Sequence, residues 1–171
     1  MSGPAKCSGA VPAEVNLGND FRDLLTCFVD EGVEFLLIGG WALALHGHGR
    51  STDDMDVLVR PSPENAERVY QALLAFGAPL DAHDVTPGLF AQPGSAYRLG
   101  VKPALIEVLT KIDGLSFDEA VEGARTFEVD GRRVPFIARQ ALLKNKRAAG
   151  RPKDLADVAW LEAHPETNSE R

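Results

Sequence analysis

Apolar positions along the chain fall into segments of two distinct periods. Phe21, Leu24, Leu25, Phe28 and Val29 recur at helical spacing, which predicts a helix over about 20–31 with Asn19 as its cap and Gly32 at its end. The run from Val33 to Ile38 is short, apolar and flanked by glycines, the pattern of a buried strand. Gly39-Gly40 follows, and Trp41–Leu45 predicts a short helix that Gly47 and Gly49 terminate. Met55, Val57 and Val59 then alternate with Asp54, Asp56 and Leu58, predicting a second strand that Pro61 and Pro63 close. Residues 63–76 form an amphipathic pattern ending at Gly77, and 78–96 carry no clear period. A third strand is expected over 104–110, with Glu107 at its centre. Ser116 and Glu119 stand at capping-box spacing for a helix over 117–124. Glu128–Val134 reads as a hairpin around Asp130-Gly131, and helices are expected over 139–149 and 152–163.

Strands and helices thus mix in an order containing both crossovers and a hairpin. This order implies an α+β fold, with a mixed sheet flanked by helices and a helical C-terminal segment. The 171 residues suit one domain over 19–163, with a flexible N-terminal arm over 1–18 and a frayed tail over 164–171. A chain of this length buries enough surface to need no disulfide or structural metal. The two cysteines, Cys7 and Cys27, have neither C-x-x-C nor zinc-ligand spacing, and Cys27 lies on the apolar stripe of the first helix. No secretory signal and no run of 18 apolar residues is found, so a cytoplasmic protein with no membrane partner is expected. The net charge of −7 excludes a global basic field for gripping nucleic acid.

Charge matters more locally. Asp54 and Asp56 are two positions apart on a strand, so both carboxylates leave one face while Met55 and Val57 anchor the other. Two adjacent carboxylates repel, and each resists ionising unless a cation lies between them. Mg²⁺ supplies that compensation, since it takes a few carboxylates together with phosphates and water. Glu107 is a third acid embedded in an apolar strand, and three such acids suit a site for two Mg²⁺ ions. Upstream, an apolar strand, Gly39-Gly40 and a helix place backbone N–H groups where phosphate oxygens bind. Arg50, Ser51 and Thr52 add side-chain donors just before the acids. An Asp-x-Asp alone is commonly a solvated strand edge and a Gly-Gly alone a turn; their combination, with the later acid, points to phosphate chemistry.

Ile38-Gly39-Gly40, a thirteen-residue spacer and Asp54-Met55-Asp56-Val57 together resemble the signature of the DNA polymerase β-like nucleotidyltransferases. Gly39-Gly40-Trp41-Ala42-Leu43 and Arg50–Asp56 resemble its small prokaryotic branch of minimal nucleotidyltransferases and abortive-infection-type toxins. Glu107 falls where that branch has its third carboxylate, more often Asp. Lys146–Asp157 resembles its basic C-terminal motif, which in relatives lies beside the nucleotide.

The resemblance implies a nucleotidyltransferase fold and transfer of a nucleoside monophosphate from an NTP to a hydroxyl acceptor, releasing pyrophosphate. Asp54, Asp56 and Glu107 would hold the metals, with Glu107 also serving as base. Gly39, Gly40, Arg50, Ser51, Thr52, Lys146 and Arg151 would hold the nucleotide. RNA, such as a tRNA end, and a small hydroxylated molecule are both open as acceptors, and an antitoxin-like protein is a further partner in the toxin-like case. A nucleotide-binding module without turnover is the alternative, kept open by Glu107.

Residues 144–153 carry five basic side chains and no acid, the pattern of either a solvated helix face or a phosphate-binding strip. Asp154 and Asp157, in the first turns of the last helix, suit its dipole or orient Lys146 and Arg151 by salt bridges. His46 and His48 form an H-x-H with no nearby third ligand and are expected on an exposed loop. Trp41 and Trp160 are expected to pack rather than to stack on a base. No Walker or dinucleotide-binding glycine motif is present.

Overall fold

The computed structural model describes residues 17–49 and 52–166. Chain order is α1 (Asn19–Asp30), β1 (Phe35–Ile38), α2 (Gly39–Leu45), β2 (Asp54–Val59), α3 (Pro63–Phe76), a 3-10 turn at Pro87–Phe90, β3 (Ala96–Leu99), β4 (Leu105–Leu109), α4 (Phe117–Ala120), β5 (Arg125–Val129), β6 (Arg132–Phe136), α5 (Arg139–Ala149) and α6 (Pro152–Ala163). The six strands form one mixed sheet in the order β3-β4-β2-β1-β6-β5. β2 runs parallel to β4 and β1 parallel to β6, while β1–β2, β3–β4 and β5–β6 are antiparallel. This is the mixed α+β architecture that the order of patterns predicts.

Alternation along each strand divides the side chains between two apolar layers. Phe35 and Leu37 of β1 and Met55, Val57 and Val59 of β2 join Phe21, Leu24, Leu25 and Phe28 of α1 and Val69 and Leu73 of α3. Leu36, Ile38 and Leu58, from the opposite face, join Leu142 and Leu143 of α5 and Val158 and Leu161 of α6. The acids of β2 share this second face. Leu17 is buried in the first layer.

Boundaries differ from the sequence reading where backbone geometry decides them. Gly18 rather than Asn19 is the N-cap of α1, without a side-chain cap bond, so Asn19 is the first helical residue. Gly32, at φ +70°, turns the chain out of α1. Val33 then donates its N–H to Phe28 O, which delays the strand to Phe35. The capping box at Ser116 and Glu119 forms as expected, yet α4 ends at Ala120. β5 and β6 extend the expected hairpin to Arg125 and Phe136. β3 lies in and beyond the stretch that carried no clear period; only Tyr97 and Leu99 of its four residues are buried. Too few alternations are present there to mark a strand by pattern.

One buried polar side chain ties helix to sheet. Asn65, fully buried at the start of α3, accepts from Glu34 N–H at 2.7 Å and donates to the carbonyls of Glu34 at 3.0 Å and Arg60 at 2.9 Å. It thereby joins the entry to β1 to the exit of β2. Replacing it with Ala takes the Glu34 N–H from its partner and leaves the carbonyls of Glu34 and Arg60 with one backbone hydrogen bond each, so Asn65→Ala is expected to cost about 1–3 kcal/mol. Urea unfolding of the variant beside the parent checks this.

Candidate active site

Asp54 and Asp56 leave β2 on the α5–α6 face, as a period of two requires. The register carries the pattern across neighbouring strands. Asp56 lies opposite Glu107 on parallel β4, and Glu107 lies opposite Arg98 on antiparallel β3. The sheet therefore presents a row of Asp56, Glu107 and Arg98, with Asp54 one pleat away. The row floors an open cleft of about 600 Å³, with Gly39, Gly40 and Thr52 at one wall and Lys146, Arg151 and Lys153 at another.

The glycine pair is required by close approach. A β-carbon on Gly39 would stand 2.4 Å from the Asp56 Oδ2 atom, and Gly39 has φ +66°, where only glycine is unstrained. A β-carbon on Gly40 would stand 2.8 Å from the Thr52 hydroxyl oxygen. That hydroxyl in turn donates toward the Asp54 carbonyl at 3.0 Å and its carboxylate at 3.3 Å. The two glycines thus let the start of α2 lie directly against the acids and the threonine that faces them.

Electrostatics single out Asp56. Burial first, then the charges of Asp54 and Glu107 and a hydrogen bond shared with Glu107, push its carboxyl up to about 7, against a weaker opposing pull from Lys146. Glu107 is instead drawn to Arg98, with Oε1 to Nε at 3.2 Å. Among the described residues, no three His, Cys, Asp or Glu side chains are grouped to hold a metal ion as they stand. The donor chemistry nevertheless fits a hard cation. Three carboxylates share one wall, and one of them is pushed toward neutrality by burial and by the charges of the other two.

The basic segment is placed differently from a free phosphate-binding strip. Lys146 is buried, with Nζ 2.9 Å from Asp157 and 3.5 Å from Asp154. Arg151 donates from Nε to Asp154 at 2.7 Å but leaves its side chain 77% exposed beside the cleft. Burial would raise the Asp154 carboxyl, yet Arg151 and Lys146 hold it below the usual range. Lys144 pairs with Glu119 and Arg147 with Glu162. Of the two uses the sequence left open for Asp154 and Asp157, the salt-bridging one is what the structure displays. Lys146→Met takes away the ammonium that buried Asp154 and Asp157 share, leaving Asp154 with Arg151, and is expected to cost about 2–4 kcal/mol. Arg147→Ala breaks only an exposed pair and is expected to change stability by under about 1 kcal/mol. Thermal unfolding of the two variants side by side checks the contrast.

Arg50 and Ser51 lie outside the described residues, as do 1–16, including Cys7, and 167–171. Gly39, Gly40, Thr52, Asp54, Asp56, Glu107, Lys146 and Arg151 all line the one cleft. Sequence reasoning missed Arg98, Lys111, Asp113 and Asn145 there, and held Lys153 only as a member of the basic run. For Arg98 a faint signal existed, a cation between the inward-facing Tyr97 and Leu99. His46 corrects an expectation: rather than lying exposed, its ring is buried and bonded to Ile137 O at 2.8 Å. Trp41 packs edge-on against Phe21, and Trp160 packs between His48 and His164. Cys27 is half-buried against the first apolar layer. Among the described residues, no helix is long and apolar enough to cross a membrane.

No protein-family model and no curated protein matches the chain. Solved structures do resemble it. A candidate nucleotidyltransferase from Thermotoga maritima superposes with a TM-score of 0.53 at 16% identity, over 84% of this chain and 91% of that one. The antibiotic-resistance factor ANT(2'')-Ia, in its solution structure, gives a TM-score of 0.51 at 15% identity, over 84% and 81% of the two chains. Its crystal structure in complex with adenylyl-2''-tobramycin gives 0.51 at 15% identity, over 84% and 86%. With its six-stranded mixed sheet and a helical layer on each face, the chain shares the fold of these solved structures, a nucleotidyltransferase-like fold.

Proposed function

We propose that the protein transfers a nucleoside monophosphate from an NTP to a hydroxyl-bearing acceptor, with release of pyrophosphate. The observation that carries this reading is the row of Asp56 and Glu107 beside Asp54, held against the glycine pair at one end of an open cleft. Asp54, Asp56 and Glu107 are the residues that would hold Mg²⁺. Bound there, the cation would supply positive charge to the reacting phosphate and to the departing pyrophosphate. Gly39, Gly40 and Thr52, together with Arg50 and Ser51, hold the triphosphate, and the exposed guanidinium of Arg151 reaches it from the opposite wall. The acceptor oxygen attacks the α-phosphorus, the bond from that phosphorus to the bridging oxygen breaks, and pyrophosphate leaves with the electron pair. Glu107 takes the hydroxyl proton.

A small hydroxylated acceptor is favoured over RNA. Lys144, Lys146 and Arg147 are paired with carboxylates, so of the basic run Arg151 and Lys153 are what face the cleft, too few to form a track for a phosphate backbone. The net charge of −7 agrees with this choice. The complex of ANT(2'')-Ia with an adenylylated aminoglycoside supports the same class of acceptor on this fold. The test is incubation with each NTP labelled at the α-phosphate, Mg²⁺ and fractionated cell extract. Label in the small-molecule fraction is expected. Label in RNA would move the acceptor to the toxin-like alternative. NTP binding with no labelled product would leave a nucleotide-binding module.

A further inference from the structure

Arg98 has no role in the chemistry described above, yet it faces the third carboxylate directly. It stands on β3 opposite Glu107 in the strand register. Its guanidinium is 3.2 Å from Glu107 Oε1, and its side chain is 68% exposed in the cleft, while that of Glu107 is 17% exposed. Glu107 is therefore half of an ion pair that lies across the candidate metal-binding row.

We propose that Arg98 is a positioning residue which holds Glu107 in the metal-free protein and releases it when a divalent cation binds. Two observations and one physical argument carry this. Glu107 Oε1 is paired with the guanidinium, and among the described residues no three His, Cys, Asp or Glu side chains are grouped to hold an ion with Glu107 so placed. Arg98 sits on a wall open to solvent, so its long side chain can swing into water without leaving a buried charge. A guanidinium and a divalent cation at the same carboxylate also repel each other, so charge alone makes the two partners compete. Binding of the cation is then an exchange of partners at Glu107, and the Arg98 pair sets part of its cost. The inference rests on the proposed metal-binding role of Asp54, Asp56 and Glu107.

The test uses the full chain and Mn²⁺, with free Mn²⁺ counted by electron paramagnetic resonance. Arg98→Gln removes the competing charge, keeps a long polar side chain on the strand, and is expected to tighten Mn²⁺ binding about three- to ten-fold. Arg98→Lys keeps the charge and is expected to stay within about two-fold of the parent. The gain in Arg98→Gln should shrink as ionic strength rises. Unchanged or weaker binding in Arg98→Gln would overturn the inference, because a side chain that merely supports β3 gives that result. Asp56→Asn separates the two levels. Mn²⁺ binding lost in Asp56→Asn but unmoved in Arg98→Gln overturns the partner exchange alone. No Mn²⁺ binding by the parent or by Arg98→Gln overturns the metal site and the exchange together.

Discussion

Replacing Asp56 with Asn is expected to abolish nucleotidyl transfer and, in the metal-free protein at pH 8, to make the fold more stable. The loss of transfer follows from position. Asp56 is the acid that touches both neighbours, through its shared bond with Glu107 and its place two residues from Asp54, and an amide cannot supply the charge a cation needs. A fall of at least about 10³-fold is expected, in line with removal of a charged group from a polyvalent phosphate site. The gain in stability follows from the sign of the carboxyl shift. In the folded protein the carboxyl is pushed up to about 7 from an ordinary value of 3.8. Between those values the folded chain holds a proton that the unfolded chain has released. The stability linked to that proton is complete below the unfolded value and is lost as pH rises through the folded one. The metal-free parent should therefore weaken between about pH 4 and 8, by on the order of 4 kcal/mol from this group. Asn does not ionise and escapes the loss. Thermal unfolding in chelator is expected to place Asp56→Asn several degrees above the parent at pH 8, with the gap closing toward pH 4. Added Mg²⁺ should raise the Tm of the parent and leave the variant unmoved.

Gly39→Ala is expected to damage stability and activity together, and Gly40→Ala much less. At Gly39 the new methyl group would lie 2.4 Å from a carboxylate oxygen and 3.3 Å from the β-carbon of Asp56, on a backbone at φ +66°. Left-handed backbone costs a non-glycine residue about 1–2 kcal/mol, and the clash adds to it because Asp56 is held on a central strand. A total cost of about 2–4 kcal/mol is expected. The alternative to a strained helix start is a displaced Asp56, and a shift of even about 1 Å there is expected to slow transfer on the order of 10²-fold. At Gly40 the contacts are with the hydroxyl oxygen of Thr52 at 2.8 Å, which can rotate away, and with its β-carbon at 3.1 Å, which must give by a few tenths of an ångström, and no positive φ is involved. Denaturant unfolding and kcat for both alanine variants check the difference. Equal effects would mean that the pair serves only as a turn.

What could be read from the sequence was what is local. Ile38-Gly39-Gly40 and Asp54-Met55-Asp56-Val57 each carry their geometry within a few residues: a strand, a glycine-bounded helix start, and two acids on one face of a pleat. Glu107 was recognisable as an embedded acid because its neighbours Leu105, Ile106, Val108 and Leu109 are apolar. Its register opposite Asp56 is a pairing across fifty residues that no local period encodes. The same limit hid Arg98, since β3 offers only two inward residues and its role depends entirely on the strand beside it. Lys146 shows the limit from the other side. A run of basic residues reads as an exposed strip, and only the packing of α5 on α6 turns one of them inward to two aspartates. Helix ends were legible to within a residue where Ser62 or Gly77 caps them. They shifted at Gly18, where the cap has no side chain to announce it.

Which phosphate the protein moves separates nucleotidyl transfer from phosphoryl transfer. An NTP labelled at the α-phosphate and the same NTP labelled at the γ-phosphate, each incubated with Mg²⁺ and the small-molecule fraction of cell extract, decide it. Nucleotidyl transfer predicts that α-label enters the acceptor while γ-label appears only in pyrophosphate, both lost in Asp56→Asn. Transfer of γ-label to the acceptor, or α-label transfer that persists in Asp56→Asn, would contradict it.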